Sequence, residues 1–227
     1  MIYASFVDAY IFYFGHMERE RITISIRKEI LSKIDQRVDG VKMRNRSHAI
    51  EILTTEALGL TRIESAVIMA GGKGAMRLIP IIESSLHKLK KYGLSDVTIA
   101  IGFLGNKIKQ SIGNGEKYGL NINYIEGGEG TAGALGPLKN QVKQCFIVVN
   151  LDQILEVNLK SLFDFHLAHT PIVSVASNNL KTLKGYYIIE PKIFSYIPAG
   201  FSMLEEDIFP KLVSQNKLLF FPAADYD

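Results

Sequence analysis

The chain contains little of what would place it in several large classes of protein. It has one cysteine, Cys145, so no disulfide can form within the chain, and a reducing, cytoplasmic setting fits. The formal net charge is only +3, too small to indicate nucleic-acid binding by overall charge. The 19 glycines and 7 prolines follow no fixed period, which excludes a collagen-like repeat. With 47% hydrophobic and 22% charged residues, an ordinary soluble globular protein is expected.

No apolar run is long enough for a typical membrane span. Residues 1–16 are mostly aromatic and aliphatic, but they include Asp8 and fall short of the roughly 20 residues that a spanning helix needs. They also lack the basic start of a secretory signal. We therefore expect no membrane association. The segment is either an arm that packs on the protein or a stretch before the natural start at Met17.

Residues 17–60 show the pattern of one strand and two helices. Polar and apolar residues alternate over 21–27, which predicts a strand with one apolar face. Apolar spacing predicts a helix that stops near Gly40 and a second one over 45–59, with Asn45 or Ser47 as its N-cap. One strand forms no sheet by itself, and roughly 44 residues cannot bury two helices unaided. This small domain is therefore expected to pair with something.

This pattern resembles the ribbon-helix-helix family of DNA-binding proteins over residues 18–59, with Arg46-Ser47-His48-Ala49-Ile50 at the second-helix start. In that family, two chains pair their strands into a ribbon that enters the major groove. The resemblance implies a homodimer or higher homo-oligomer that binds double-stranded DNA. Base-reading residues would be Arg21, Thr23 and Ser25, and Asn45, Arg46 and Ser47 would hold a phosphate. The alternative is a module that only dimerises, with a solvated polar strand face.

Residues 64–227 alternate strands with helices. The apolar run 65–70 leads into the glycine-rich loop 71–74, which is how a nucleotide-binding α/β domain opens. Further patterns predict strands over 97–101, 121–125, 146–150 and 172–176, and helices over 82–92, 106–112, after 130–133, and over 159–169. The predicted fold class is α/β, a mostly parallel Rossmann-like sheet preceded by the small strand-helix-helix domain. The active site would lie at the carboxyl ends of the strands.

The glycine loop is neither a Walker loop, because Gly74 is followed by Ala75 and Met76, nor a dinucleotide fingerprint, because position 77 is arginine. As a set, the segments 66–74, 130–135 and 148–152 resemble the nucleotidyltransferases that make nucleotide sugars. The resemblance covers most of residues 64–227. Members of that family join a nucleoside triphosphate to a sugar 1-phosphate and release pyrophosphate.

The resemblance also implies roles for individual residues. The amides of Gly71, Gly72, Lys73 and Gly74 would cradle phosphates, Arg77 would be the loop arginine, and Gly130, Thr131 and Gly185 would border the base and sugar. Asp152 would hold Mg²⁺, with Asp227 as the candidate second carboxylate and Asp225 behind it. A structural alternative for Asp152 is that it caps the next helix. The acidic residues 205–207 are interpreted as a solvated helix start, where acids are favoured.

The chain departs from the family at several positions. Ala75 stands where the family has threonine, Met76 is extra, and Leu151 stands where glycine is preferred. Two lysine-bearing segments are missing, one after the glycine loop and one between Ser177 and Gly185. Two explanations stay open. Either the protein is a transcriptional regulator that senses a nucleotide or nucleotide sugar without turnover, or the sequence leaves out loops and the protein is an active enzyme.

Overall fold

A computed structural model describes residues 20–40, 43–58, 63–71, 75–102, 105–151, 157–177 and 185–223. The chain divides into two units, residues 1–62 and 63–227, and each is considered by itself. Within the described ranges, no helix combines the length and the apolar character needed to cross a bilayer.

The small unit contains two helices, α1 (Lys28–Asp35) and α2 (Arg46–Ala57). They pack on a minimal core of Ile34, Met43 and Ala49. The strand predicted over 21–27 is absent, because strand hydrogen bonds need a neighbouring strand and the described part of this unit supplies none. In a single chain, Ile22 and Ile24 are therefore left 73% and 51% exposed.

The large unit alternates strands and helices in the predicted order. Its strands are β1 (Ser65–Ala70), β2 (Asp96–Ile101), β3 (Asn121–Glu126), β4 (Phe146–Asn150), β5 (Val173–Ser177), β6 (Tyr186–Ile189) and β7 (Leu218–Pro222). Its helices are α3 (Ala75–Tyr92), α4 (Gly105–Ile112), α5 (Gly130–Gly133), α6 (Leu159–His169) and α7 (Phe209–Ser214), with a further helical turn at Leu204–Ile208.

The seven strands form one sheet in the order β3-β2-β1-β4-β6-β5-β7. All neighbours pair in parallel except β6, which is antiparallel to both β4 and β5. The predicted α/β class with a mostly parallel sheet is thus confirmed. Because β6 runs in reverse, its amino end lies beside the carboxyl end of β4.

Both faces of the sheet are covered, as a strand with alternating directions of its side chains requires. On β4, Ile147 and Val149 join the core cluster on one face, while Phe146 and Val148 join the cluster on the other. Each fully buried side chain of this size contributes about 1.5 to 3 kcal/mol. These two clusters fix the sheet and, with it, the position of every strand end.

Helix α3 begins at Ala75, seven residues earlier than the predicted start at Ile82, and includes Pro80. A proline inside a helix removes one backbone hydrogen bond and costs about 3 kcal/mol. Ile82 is completely buried and Leu78 and Ile79 pack against the same core, so burial of this apolar face offsets the cost.

Cys145, which the sequence suggests is buried, is half-buried at the start of β4. Burial raises the pKa of its thiol to about 12, so the thiolate is scarce near neutral pH. Only the thiolate is a good nucleophile. We expect iodoacetamide to alkylate the native protein at pH 8 at least about 100-fold more slowly than the urea-unfolded chain, whose thiol has a pKa of about 8.5. Equal rates measured by mass spectrometry would contradict the burial.

Candidate functional site

The carboxyl ends of the central strands meet at one edge of the sheet. Gly71 follows β1 and Gly102 follows β2, and a Cβ atom placed on Gly102 would lie 2.7 Å from the carbonyl oxygen of Gly71. The backbones therefore touch at a distance that a side chain at position 102 would prevent. At the end of β4, the amide of Asn150 donates to the carbonyl of Gly185 at 2.9 Å. Gly185 thus lies at the same edge, beside the residue that precedes Leu151 and Asp152.

A tight glycine-rich turn, α5, is held by the segment that precedes Leu204–Ile208. The amides of Ala132 and Gly133 donate to the carbonyl of Ser202 at 3.0 and 3.2 Å, and the amide of Ser202 donates to the carbonyl of Glu129 at 3.0 Å. Gly130 has φ of +79°, and a Cβ atom there would collide with the carbonyl of Ser202. Only glycine fits this close backbone approach without strain.

The carboxylate of Glu205 connects this turn to the end of β4. Its Oε2 accepts a hydrogen bond from the hydroxyl of Thr131 at 2.7 Å. Its Oε1 accepts from the hydroxyl of Tyr187 at 2.8 Å and from Nδ2 of Asn150 at 3.0 Å. Thr131 also accepts a hydrogen bond from the amide of Leu204 at 2.8 Å. Four segments distant in sequence therefore meet on one carboxylate.

The interpretation of residues 205–207 as a solvated helix start is wrong for Glu205. That position is half-buried and fully engaged, whereas Glu206 is exposed. Asp207 behaves as predicted for an acid at a helix start, since its Oδ2 accepts from the amide of Met203 at 2.8 Å. Nothing in the local pattern distinguishes Glu205 from Glu206, because the difference arises from β4 and β6, which are remote in sequence.

Several predicted site residues lie outside the described residues: Gly72, Lys73, Gly74, Asp152, Asp225 and Asp227. Arg77 lies in the first turn of α3, and its side chain is outside the described part of the structure. Of the remaining candidates, Gly71 and Gly185 lie at the carboxyl edge. Gly130 and Thr131 are joined to the end of β4 through Glu205.

The donor set proposed for magnesium fits a hard cation, because Asp152 follows the end of β4 directly and offers carboxylate oxygen. The residues that the structure does describe contain no group of three histidine, cysteine, aspartate or glutamate side chains able to hold a metal. Any metal site in this chain must therefore draw at least one such ligand from residues outside the described ranges, or rely on fewer than three.

The small unit presents the predicted DNA-contacting residues on its surface. Arg21, Thr23 and Ser25 are exposed. A cleft of about 330 Å³ at the start of α2 is lined by residues 44–48 and Glu51. Oδ1 of Asn45 accepts from the amide of His48 at 3.0 Å, which identifies Asn45 as the N-cap.

Arg46 forms a contact within the chain. Its Nε and Nη2 donate to the two carboxylate oxygens of Asp35 at 2.7 and 2.8 Å. This hydrogen bonding lowers the pKa of Asp35 below its usual range. The pair ties the start of α2 to the end of α1, so Arg46 has a structural contact besides its predicted role.

Replacing Gly130 with alanine should destabilise the large unit strongly. A left-handed backbone costs a non-glycine residue about 1 to 2 kcal/mol, and the collision with the Ser202 carbonyl adds to this. We expect urea denaturation to show a loss of about 2 to 4 kcal/mol. Gly136→Ala is the matched control, because a Cβ atom there meets nothing within 4 Å. Equal stabilities of the two variants would contradict the tight approach.

Comparison with known proteins identifies relatives of one kind, although no protein-family model matches the chain. Mannose-1-phosphate guanyltransferase of Saccharomyces cerevisiae is 26% identical over 180 residues, which cover 63% of this chain and 50% of that protein. N-acetylmuramate alpha-1-phosphate uridylyltransferase of Neisseria meningitidis is 34% identical over 90 residues, covering 37% of this chain and 38% of that protein. The chain spans about half the length of the curated relatives first matched.

Solved structures share the fold of the large unit. A protein assigned as a glucose-1-phosphate thymidylyltransferase of Bacillus anthracis superposes with a TM-score of 0.59 at 20% identity. The match covers 71% of this chain and 87% of that protein. Together, the relatives and the structural neighbours support a sugar-nucleotide nucleotidyltransferase domain.

Proposed function

We propose that the chain, whose large unit has the fold of sugar-phosphate nucleotidylyltransferases, transfers a nucleotidyl group from a nucleoside triphosphate to a sugar 1-phosphate. A phosphate oxygen of the sugar 1-phosphate forms a bond to the α-phosphorus. The bond from that phosphorus to the oxygen bridging toward the β-phosphate breaks, and pyrophosphate leaves with the electron pair.

One observation carries this proposal: the carboxyl ends of β1, β2 and β4 and the Gly130 turn are brought together around a single edge of the sheet. Ligands of open α/β sheets bind at this edge. Amides of the loop that begins at Gly71 would cradle the phosphates at the start of α3, where backbone amides and the helix dipole favour an anion. Gly130 and Thr131 would border the base and sugar.

Two charged groups complete the proposed chemistry. Asp152, with Asp227 as the second candidate, would hold Mg²⁺, which when bound neutralises charge on the phosphoryl oxygens. Arg77 would provide a fixed positive charge near the loop, and guanidinium groups pair with phosphate in two-pronged hydrogen bonds. Neither role needs a covalent bond to the protein, so positioning and charge stabilisation supply the rate enhancement.

The test is release of pyrophosphate by the purified full chain with Mg²⁺, using each nucleoside triphosphate with mannose 1-phosphate and with glucose 1-phosphate. We expect release with at least one pair and none without the sugar phosphate. Intact mass spectrometry belongs beside it: a mass several kilodaltons above 25.3 kDa would mean that the natural protein carries further loops. Absence of release from the whole panel at a mass of 25.3 kDa would refute the enzymatic proposal.

The small unit favours a second function, sequence-specific DNA binding by a homodimer. Its three-residue core is too small to stabilise a folded unit alone, and Ile22 and Ile24 are exposed on the segment that would form the ribbon. A second copy would pair the two segments and bury these isoleucines. Arg21, Thr23 and Ser25, which alternate with them, would then face outward toward the base edges.

If this function is correct, the alternative role of the large unit is to sense a nucleotide or nucleotide sugar and alter DNA binding. Random-site selection with the purified full chain should enrich one motif with two related half-sites. Affinity should fall steeply with salt and change when nucleotide is added. Enrichment of no motif would reduce the small unit to a dimerisation module.

A further inference from the structure

We propose that Glu205 is a positioning residue of the nucleotidylyltransferase site. Its carboxylate fixes the Gly130–Gly133 turn against the carboxyl end of β4, so that both sides of the substrate site keep one relative geometry. This inference rests on the function proposed above and assigns Glu205 no direct contact with the substrates.

The hydrogen bonds show what the carboxylate joins. Thr131 belongs to the turn, Asn150 is the last residue of β4, and Tyr187 lies on the antiparallel strand β6. Their donors reach Glu205 at 2.7, 3.0 and 2.8 Å. Hydrogen bonds to an ionised acceptor are roughly twice as strong as neutral ones. One side chain therefore holds three elements that no backbone ladder joins to the helical turn at Leu204–Ile208.

The contacts also orient the two site-side partners. Thr131 donates to Glu205 and accepts from the amide of Leu204 at 2.8 Å, so its hydroxyl direction is set. The Nδ2 group of Asn150 points at Glu205, which turns Oδ1 of that amide the other way. The backbone amide of Asn150 is held by Gly185. Two residues after Asn150 comes Asp152, the proposed magnesium ligand.

A carboxylate is required because three donors converge on it. Glutamine has the same length but only one acceptor oxygen, and its NH₂ group would face at least one of these donors. Loss of a partner frees the turn to move relative to β4. A displacement of roughly 1 Å at a substrate-positioning group can lower the rate about 100-fold.

The experiment compares the full-length variants Glu205→Gln and Glu206→Gln, the second being the matched control at the exposed neighbouring position. We expect Glu205→Gln to lower kcat by about 10- to 100-fold while Glu206→Gln stays within about twofold of the parent protein. Thr131→Val should reproduce the loss of kcat, and Thr131→Ser, which keeps the hydroxyl, should not. The double variant Glu205→Gln/Thr131→Val should be no worse than the poorer single variant, because both changes break the same connection.

Additive losses in the double variant, or a kcat of Glu205→Gln within about twofold of the parent, would overturn the inference. If Glu205→Gln does not fold, the contrast between Thr131→Val and Thr131→Ser decides the question. A parent protein that binds a nucleoside triphosphate without releasing pyrophosphate would refute the proposed function alone. The same variants would then be judged by calorimetric affinity for that triphosphate. A parent that neither reacts nor binds would overturn both proposals.

Discussion

Asp152→Asn should abolish Mg²⁺-dependent pyrophosphate release. Asparagine keeps the size of the side chain but removes the negative charge that would hold the cation, and metal stabilisation of phosphoryl charge supplies several kcal/mol of the rate enhancement. At 1.36 kcal/mol per tenfold in rate, kcat/KM should fall by at least about 100-fold. The measurement is initial rate against Mg²⁺ concentration for the parent and the variant, with a chelator added to establish the metal-free baseline.

The matched control is Asp164→Asn. Asp164 is exposed on α6, where its carboxylate pairs with Lys160 at 2.7 Å, so removing its charge should leave the rate unchanged. Full activity of Asp152→Asn would remove Asp152 from the metal site and leave its alternative role as a helix cap. Equal losses in both variants would indicate a general effect of charge on the protein.

Replacing both Ile22 and Ile24 with lysine should convert the proposed homodimer into a monomer. Burial of an isoleucine contributes at least about 1.5 kcal/mol, and a dimer would bury four of these side chains, or about 6 kcal/mol in all. At about 1.4 kcal/mol per factor of ten, the dissociation constant should rise about 10,000-fold. Sedimentation equilibrium measures the change, and sequence-specific DNA binding should be lost with the dimer.

Phe201→Lys is the control for this change. Phe201 is 64% exposed in the large unit, so the variant makes a similar exchange of an exposed apolar side chain for a charge outside the proposed ribbon. We expect it to sediment as the parent does. A parent protein that is monomeric at micromolar concentration would contradict the ribbon, as would an Ile22→Lys/Ile24→Lys variant that stays dimeric.

Much of the large unit could be predicted from local sequence. The apolar runs over 65–70 and 146–150 correspond to β1 and β4, and the α6 bounds Leu159–His169 match the prediction. These segments have strong periodicity and well-marked ends. Pro80 misled the prediction of α3, because packing of the surrounding apolar residues outweighs the local cost of a proline. The antiparallel direction of β6 was not predicted, since a four-residue apolar strand carries no signal of its orientation.

The sequence by itself determined the alternation of strands and helices, the division between a small helical unit and an α/β unit, and the glycines of the turn at 130–133. Such features depend on side-chain periodicity and backbone freedom, which neighbouring residues set. Only the tertiary structure decided that Glu205, and not Glu206, joins the turn to β4 and β6. The partners of Glu205 are 18 to 74 residues away, and burial in the folded sheet brings them within hydrogen-bonding distance of one carboxylate.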